Sequence, residues 1–157
     1  MRARALARAA SVAALYALLT VCFSPISSGL LQCRISEALC VLPYLTGAAV
    51  PGLFVGCLLA NILTGAPLYD VVFGSLATLL AALATYWLRR RAAKCFAPLP
   101  SVVFNALIVG WLLVRVYGVG LPYWLAALYV AAGQAIACFG LGLPLLTVLD
   151  RFPKLWQ

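Results

Sequence analysis

From Val71 to Leu88, and again from Pro122 to Leu149, the chain carries no charged residue. Runs of that length dictate the solvent, because a helix needs roughly 20 apolar residues to cross the hydrocarbon core of a bilayer. Two further runs, Ala5 to Phe23 and Leu99 to Tyr117, hold one basic residue each, Arg8 and Arg115. All four are continuous and not alternating, which excludes a membrane β-barrel. Of the 157 residues 66% are hydrophobic and 9% charged, against about 25% charged in a soluble domain. The chain reads as one all-α transmembrane domain, residues 1–157, with almost nothing left over for a soluble part.

The segment Ala38 to Leu63 is apolar too, but Pro43, Gly47, Pro51 and Gly52 interrupt it. Crossing once, it gives five spans and leaves either Arg2, Arg4 and Arg8 or the Arg89–Lys94 cluster outside. Turning back at Gly47–Pro51, it gives six. All of the eleven basic residues except Arg34 and Arg115 then share one side: Arg2, Arg4, Arg8, Arg89, Arg90, Arg91, Lys94, Arg151 and Lys154. Basic residues concentrate in cytoplasmic loops. The charges therefore predict a polytopic membrane protein of the cell membrane, with six transmembrane helices and both termini cytoplasmic. The two arms, about Glu37–Thr46 and Pro51–Thr64, are short for spans, which lipid tolerates where the helix is buried in protein or lines a cavity. A basic start before an apolar run and Ser24-Pro-Ile-Ser-Ser-Gly has the outline of an export signal. No small-x-small cleavage site precedes Ser24, so a retained first span is the expectation.

Several function classes drop out. The net charge of +8 flanks apolar runs and forms no basic patch with interleaved aromatics, which argues against nucleic acid. Six scattered cysteines without paired spacing, and no histidine, give no support to a metal site; cysteine packed as a small apolar residue suffices. Three carboxylates, with no nucleophile elbow or phosphate loop, form no catalytic constellation, so the chain is not read as an enzyme and needs no cofactor of its own.

Polar residues inside apolar runs carry more information. In the six-span arrangement Arg34, Glu37, Asn61, Asp70 and Arg115 fall near the outer helix ends, and Gln134 lies deeper. An ionisable group at the hydrocarbon centre costs roughly 2.5–3.5 kcal/mol on insertion scales and usually faces a cavity or partner. Their convergence predicts a site open to the outside. Ordinary readings stand beside it: Asp70 as a helix N-cap, Arg115 snorkelling to the interface, and Arg34 paired with Glu37 to close the first loop. Trp111, four residues before Arg115, shares its face and lies too deep for an aromatic belt, unlike Tyr69, Tyr117, Tyr123 and Trp124. In the first span Ala9, Ala13 and Ala17 recur at four-residue spacing, which lets another helix approach closely. That helix belongs either to a partner or to the same bundle. Gly52, Gly56 and Ala60 repeat the pattern and are read as internal packing.

The stretch Gln32-Cys-Arg-Ile-Ser-Glu-Ala-Leu39, then Leu42-Pro-Tyr44, Pro51-Gly-Leu-Phe-Val-Gly-Cys-Leu-Leu-Ala-Asn61 and Asp70-Val-Val-Phe-Gly-Ser-Leu-Ala-Thr78 resembles the QueT family along essentially the whole chain. Cys33 departs from the aromatic or larger apolar residue expected there. The resemblance implies a six-helix substrate-binding (S) component of an energy-coupling factor (ECF) transporter for queuosine precursors, 7-deazaguanine bases. It also implies partners, a transmembrane scaffold protein and two ATPase subunits that consume the ATP. It favours a partner helix against Ala9, Ala13 and Ala17. For such a base, Glu37 suits the adjacent N–H and amino group, and Asn61 and Gln134 suit the carbonyl and ring nitrogens. Trp111 or Tyr44 suits the flat face, and Asp70 an aminomethyl group. The alternatives are an S component for another vitamin-like molecule, or a structural membrane protein without a ligand.

Overall fold

The computed structural model describes residues 2–24, 34–153 and 156; Gln32, Cys33 and Lys154 lie outside them. Among the described residues there is no strand, and six helices follow one another: α1 Arg2–Cys22, α2 Ile35–Tyr44, α3 Ala49–Leu63, α4 Asp70–Leu88, α5 Leu99–Arg115 and α6 Tyr123–Leu149. The helix α2 is wound as a 3-10 helix, and α4 and α6 contain π-wound stretches at Asp70–Gly74 and Ile136–Gly142. Four helices are long and apolar enough to span a membrane: α1, α4, α5 with its lead-in from Lys94, and α6.

The interrupted segment does turn back. At 10 residues α2 rises about 20 Å and at 15 residues α3 rises about 22 Å, both short of the roughly 30 Å hydrocarbon core. Shelter offsets this: Ser36 to Pro43 of α2 are all buried, against α1, α4 and α6. The break falls at residues 45–48, slightly before the expected Gly47–Pro51. Pro51 enters the first turn of α3, where its missing N–H leaves no intrahelical bond unmade. Gly47 marks the break because a side chain there would sit 2.9 Å from the Tyr86 ring.

Packing registers fix the helix directions. A Cβ on Gly52 would meet the Ala9 carbonyl oxygen at 2.7 Å, and one on Gly56 the Ala13 carbonyl oxygen at 2.9 Å. Four residues along both helices bring the next contact, so α1 and α3 run parallel and α2 must return between them. Cys57 pairs with Thr78 and Asn61 with Asp70, so α3 and α4 run antiparallel. Thr85 Oγ1 bonds the Ala97 carbonyl across the α4–α5 turn, 3.1 Å away. One end of the bundle consequently gathers Arg4, Arg8, the Arg89–Lys94 loop and Arg151. It is tied by Arg8 Nη1 to the Trp156 carbonyl at 2.8 Å and by a Lys94–Asp150 ion pair.

These registers also correct one expectation. Ala9 and Ala13 face the glycines of α3, and Ala13 and Ala17 are buried inside the bundle. Ala13 and Ala17 are therefore spent on packing within the bundle, where the glycines of α3 let two backbones come this close, while Ala9 is half-buried and, with Ala13, borders an open groove between α1 and α3. The face of α1 left exposed carries Ala3, Ala7, Ala10 and Ala14 instead.

Candidate substrate-binding site

This apolar bundle contains two groups of hydrogen-bonding side chains, one buried in its interior and one that runs from the buried Asn61 to the surface. Glu37 centres the first. It lies in the first turn of α2, where it has no exposed surface at all. Three donors from three helices reach its carboxyl group. Tyr16 of α1 donates to Oε1 at 2.5 Å, and Cys40 of α2 and Ser101 of α5 donate to Oε2, each at 2.9 Å. Spacing explains Cys40, three residues on and so one 3-10 turn below. Asn105, one turn along α5, donates to the Ser101 carbonyl at 3.0 Å. Gln134 of α6 joins through Cys138, whose thiol lies 3.4 Å from the Glu37 carbonyl and 3.5 Å from Gln134 Oε1. Thr20, on the same face of α1 as Tyr16, bonds Ser36 at 2.7 Å.

The second group lies at the bundle end opposite the Arg89–Lys94 loop. Arg34 precedes α2 and gives an Nη2–H to Asn61 Oδ1 at 2.6 Å. Asn61, fully buried near the end of α3, gives its amide to the Asp70 carbonyl at 3.1 Å. The Asp70 carboxyl accepts from Tyr117 at 2.7 Å. Desolvation, helped by that bond and the neighbouring charge, raises the Tyr117 pKa. Asp70 lies in the first turn, with Tyr69 at the N-cap position, and Arg34 turns to Asn61 without pairing with Glu37, so neither ordinary reading of these residues holds. Among the described residues the one side-chain ion pair is Lys94–Asp150.

Of the residues expected to form a site, Glu37 and Gln134 meet in the first group and Arg34, Asn61 and Asp70 in the second. Two do not join them. Tyr44 lies at the arginine end, its hydroxyl on the Ala92 carbonyl at 3.0 Å, beside a cavity of about 230 Å³ that it lines with Asp150 and Trp156. Eight residues of α2 beyond Ser36 carry it away from the outer end. Trp111 is 45% exposed on the bundle surface, tilted against Phe73 with ring centroids 6.0 Å apart. The expectation that Glu37 opens outward is likewise not met, since α1 and α5 close over it.

Sequence reading missed Tyr16, Thr20, Ser75, Ser101 and Asn105. Ser101 and Asn105 stand at helical spacing in an otherwise apolar run, and that signal was present. Ser75 matters for a different reason. Its Oγ, buried on α4 directly after the Gly74 that abuts Asn61, is the one buried side-chain polar atom among the described residues without a partner. Native interiors rarely leave such an atom unpaired, and a ligand or water ordinarily completes it. The Ser75 hydroxyl thus has hydrogen-bonding capacity to spare, one residue from the Gly74 that packs on Asn61.

A family model described as QueT transporter matches residues 6–151. Neither the curated proteins nor the solved structures gave a match.

Proposed function

The chain belongs to the QueT transporter family, and on that premise we propose that it is the membrane-embedded substrate-binding component of an ECF transporter importing a queuosine precursor. The ligand is a 7-deazaguanine base, the cyano base, the aminomethyl base or queuine. The observation that carries this reading is the unpaired Ser75 hydroxyl, next to the Gly74 that packs on Asn61 of the Arg34–Asn61–Asp70 chain, at the end of the bundle opposite the Arg89–Lys94 loop. In an apolar bundle each buried polar group costs desolvation free energy, so a cluster of them marks a substrate path.

In this reading Ser75, Asn61 and Gln134 provide hydrogen bonds to the ring edges, and Arg34 spans the outer end. Asp70 keeps acceptor capacity beyond its one bond from Tyr117, enough for an aminomethyl group. Glu37 has its acceptors engaged by Tyr16, Cys40 and Ser101. Its role is to position the wall formed by α1 and α5, in place of the direct contact its carboxyl chemistry first implied.

Energy comes from outside the chain. A scaffold protein and two ATPase subunits are the partners of this proposal, and ATP is hydrolysed there. The scaffold docks on the exposed small face of α1, where an apolar groove of about 680 Å³ runs between Ala9, Ala10 and Ala13 of α1 and Pro51 and Val55 of α3.

Calorimetry of the purified protein with the three bases, guanine and unrelated vitamins tests the reading. Saturable binding of a deazaguanine base supports it. Binding of a different vitamin, or of none, overturns it.

A further inference from the structure

At the arginine end of α4 the exposed apolar stripe Leu76, Leu80, Leu83 and Trp87 runs, at spacings of four, three and four, into Arg89, Arg90 and Arg91. There a groove of about 580 Å³ is lined by Leu83, Tyr86, Trp87 and the three arginines. Two guanidinium groups are held over aromatic rings: Arg89 lies 4.2 Å from the Tyr86 ring centroid and Arg91 3.9 Å from that of Trp87. Tyr86 is itself seated on Gly47 at the α2–α3 turn, so this wall of the groove is anchored in the bundle.

Among the described residues no acidic side chain pairs with this triad. There are three acidic side chains in the whole sequence. Glu37 is buried with Tyr16, Cys40 and Ser101, Asp70 holds Tyr117 at the far end, and Asp150 is paired with Lys94. That leaves the arginines open to an anion from outside. Its position selects which anion. Leu83 lies six residues before Arg89, about 9 Å along the helix, so the groove reaches from the basic collar down the apolar face that lipid tails cover. Guanidinium groups suit phosphate oxygens, and the rings beneath them present an amphipathic wall at headgroup depth.

We propose that this groove binds the headgroup of an anionic phospholipid, with an acyl chain along Leu83, Leu80 and Leu76. The phosphate takes the arginine N–H groups. A zwitterionic headgroup carries its own ammonium toward the same cations and is disfavoured.

Native mass spectrometry of the purified full chain, titrated with phosphatidylglycerol or phosphatidylcholine, tests this. The wild-type chain retains phosphatidylglycerol preferentially. Replacing all three arginines (R89Q, R90Q, R91Q) weakens that lipid roughly 100-fold, from about fivefold per basic residue at a membrane surface, and leaves phosphatidylcholine unchanged. Neutralising Arg4 and Arg151 at the same end has little effect. If the triple variant does not fold, Trp87→Leu decides in its place, with a severalfold loss expected for phosphatidylglycerol alone. Equal retention of both lipids by the wild type, or undiminished phosphatidylglycerol binding in the variants, overturns the proposal. So does complete displacement of the lipid by millimolar inorganic phosphate, which marks a free-anion site. A triple variant that keeps the lipid but loses co-purifying protein assigns the groove to an acidic protein surface instead.

Discussion

The Tyr16 hydroxyl donates to Glu37 Oε1 across 2.5 Å, inside the bundle where α1 meets α2. Ser101 reaches the other carboxyl oxygen from α5, so one side chain fastens three helices. Removing a donor from a buried acceptor costs about 1–3 kcal/mol. Tyr16→Phe is expected to lower the thermal midpoint in detergent by that cost. Tyr16→Phe with Ser101→Ala is expected to depart from additivity, because both act on one carboxyl group. Wild-type stability in Tyr16→Phe would deny the fastening role.

If Glu37 positions a wall and does not touch the base, Glu37→Gln weakens all ligands alike. Calorimetry with a deazaguanine and its analogue lacking the 2-amino group separates the cases. Equal fold-losses are expected; a loss confined to the amino-bearing ligand would return Glu37 to direct contact.

Ser75→Ala is expected to leave the ligand-free protein at least as stable as the wild type, since the buried hydroxyl makes no bond there. Base affinity is expected to fall about 5- to 10-fold, the worth of one hydrogen bond. Thermal unfolding without ligand and calorimetry with it read the two effects. Unchanged affinity would remove Ser75 from the site.

Bulk placed against the two faces of α1 has different consequences. Gly56→Leu drives a side chain into the Ala13 carbonyl and the Tyr16 Cβ, each 2.9 Å away, and is expected to destroy folding and ligand binding together. Ala10→Trp, on the exposed face, is expected to abolish co-purification with the coupling subunits while sparing ligand binding. Loss of binding in Ala10→Trp would place that face inside the bundle.

Tyr117 provides a pH test. Burial and the Asp70 carboxyl raise its pKa above the ordinary value of about 10. A raised folded-state pKa means that the neutral phenol is favoured on folding. The stabilisation is therefore complete below about pH 10 and is lost as pH climbs toward the folded-state value. Tyr117→Phe is expected to flatten the alkaline limb of the stability profile. An unchanged limb would show that the Tyr117–Asp70 bond contributes nothing.

The sequence by itself determined the solvent, the helical class and the turn within Ala38–Leu63. Each depends on quantities that add along the chain: apolar length, interruption by proline and glycine, and the side on which arginines fall. It also singled out Arg34, Asn61 and Asp70, because a polar residue in an apolar run stands out wherever it sits. Only the tertiary structure decided which face of α1 is spent on α3, for Ala9–Ala13 and Ala10–Ala14 are equally good stripes until the glycines of α3 choose between them. It alone showed Glu37 enclosed by Tyr16 and Ser101, which lie 21 residues before it and 64 after, and Tyr44 carried to the opposite end. Hydrogen-bond partners are set by distances of a few ångströms between helices far apart in sequence, and a single α2 wound three residues to the turn redirects every side chain upon it.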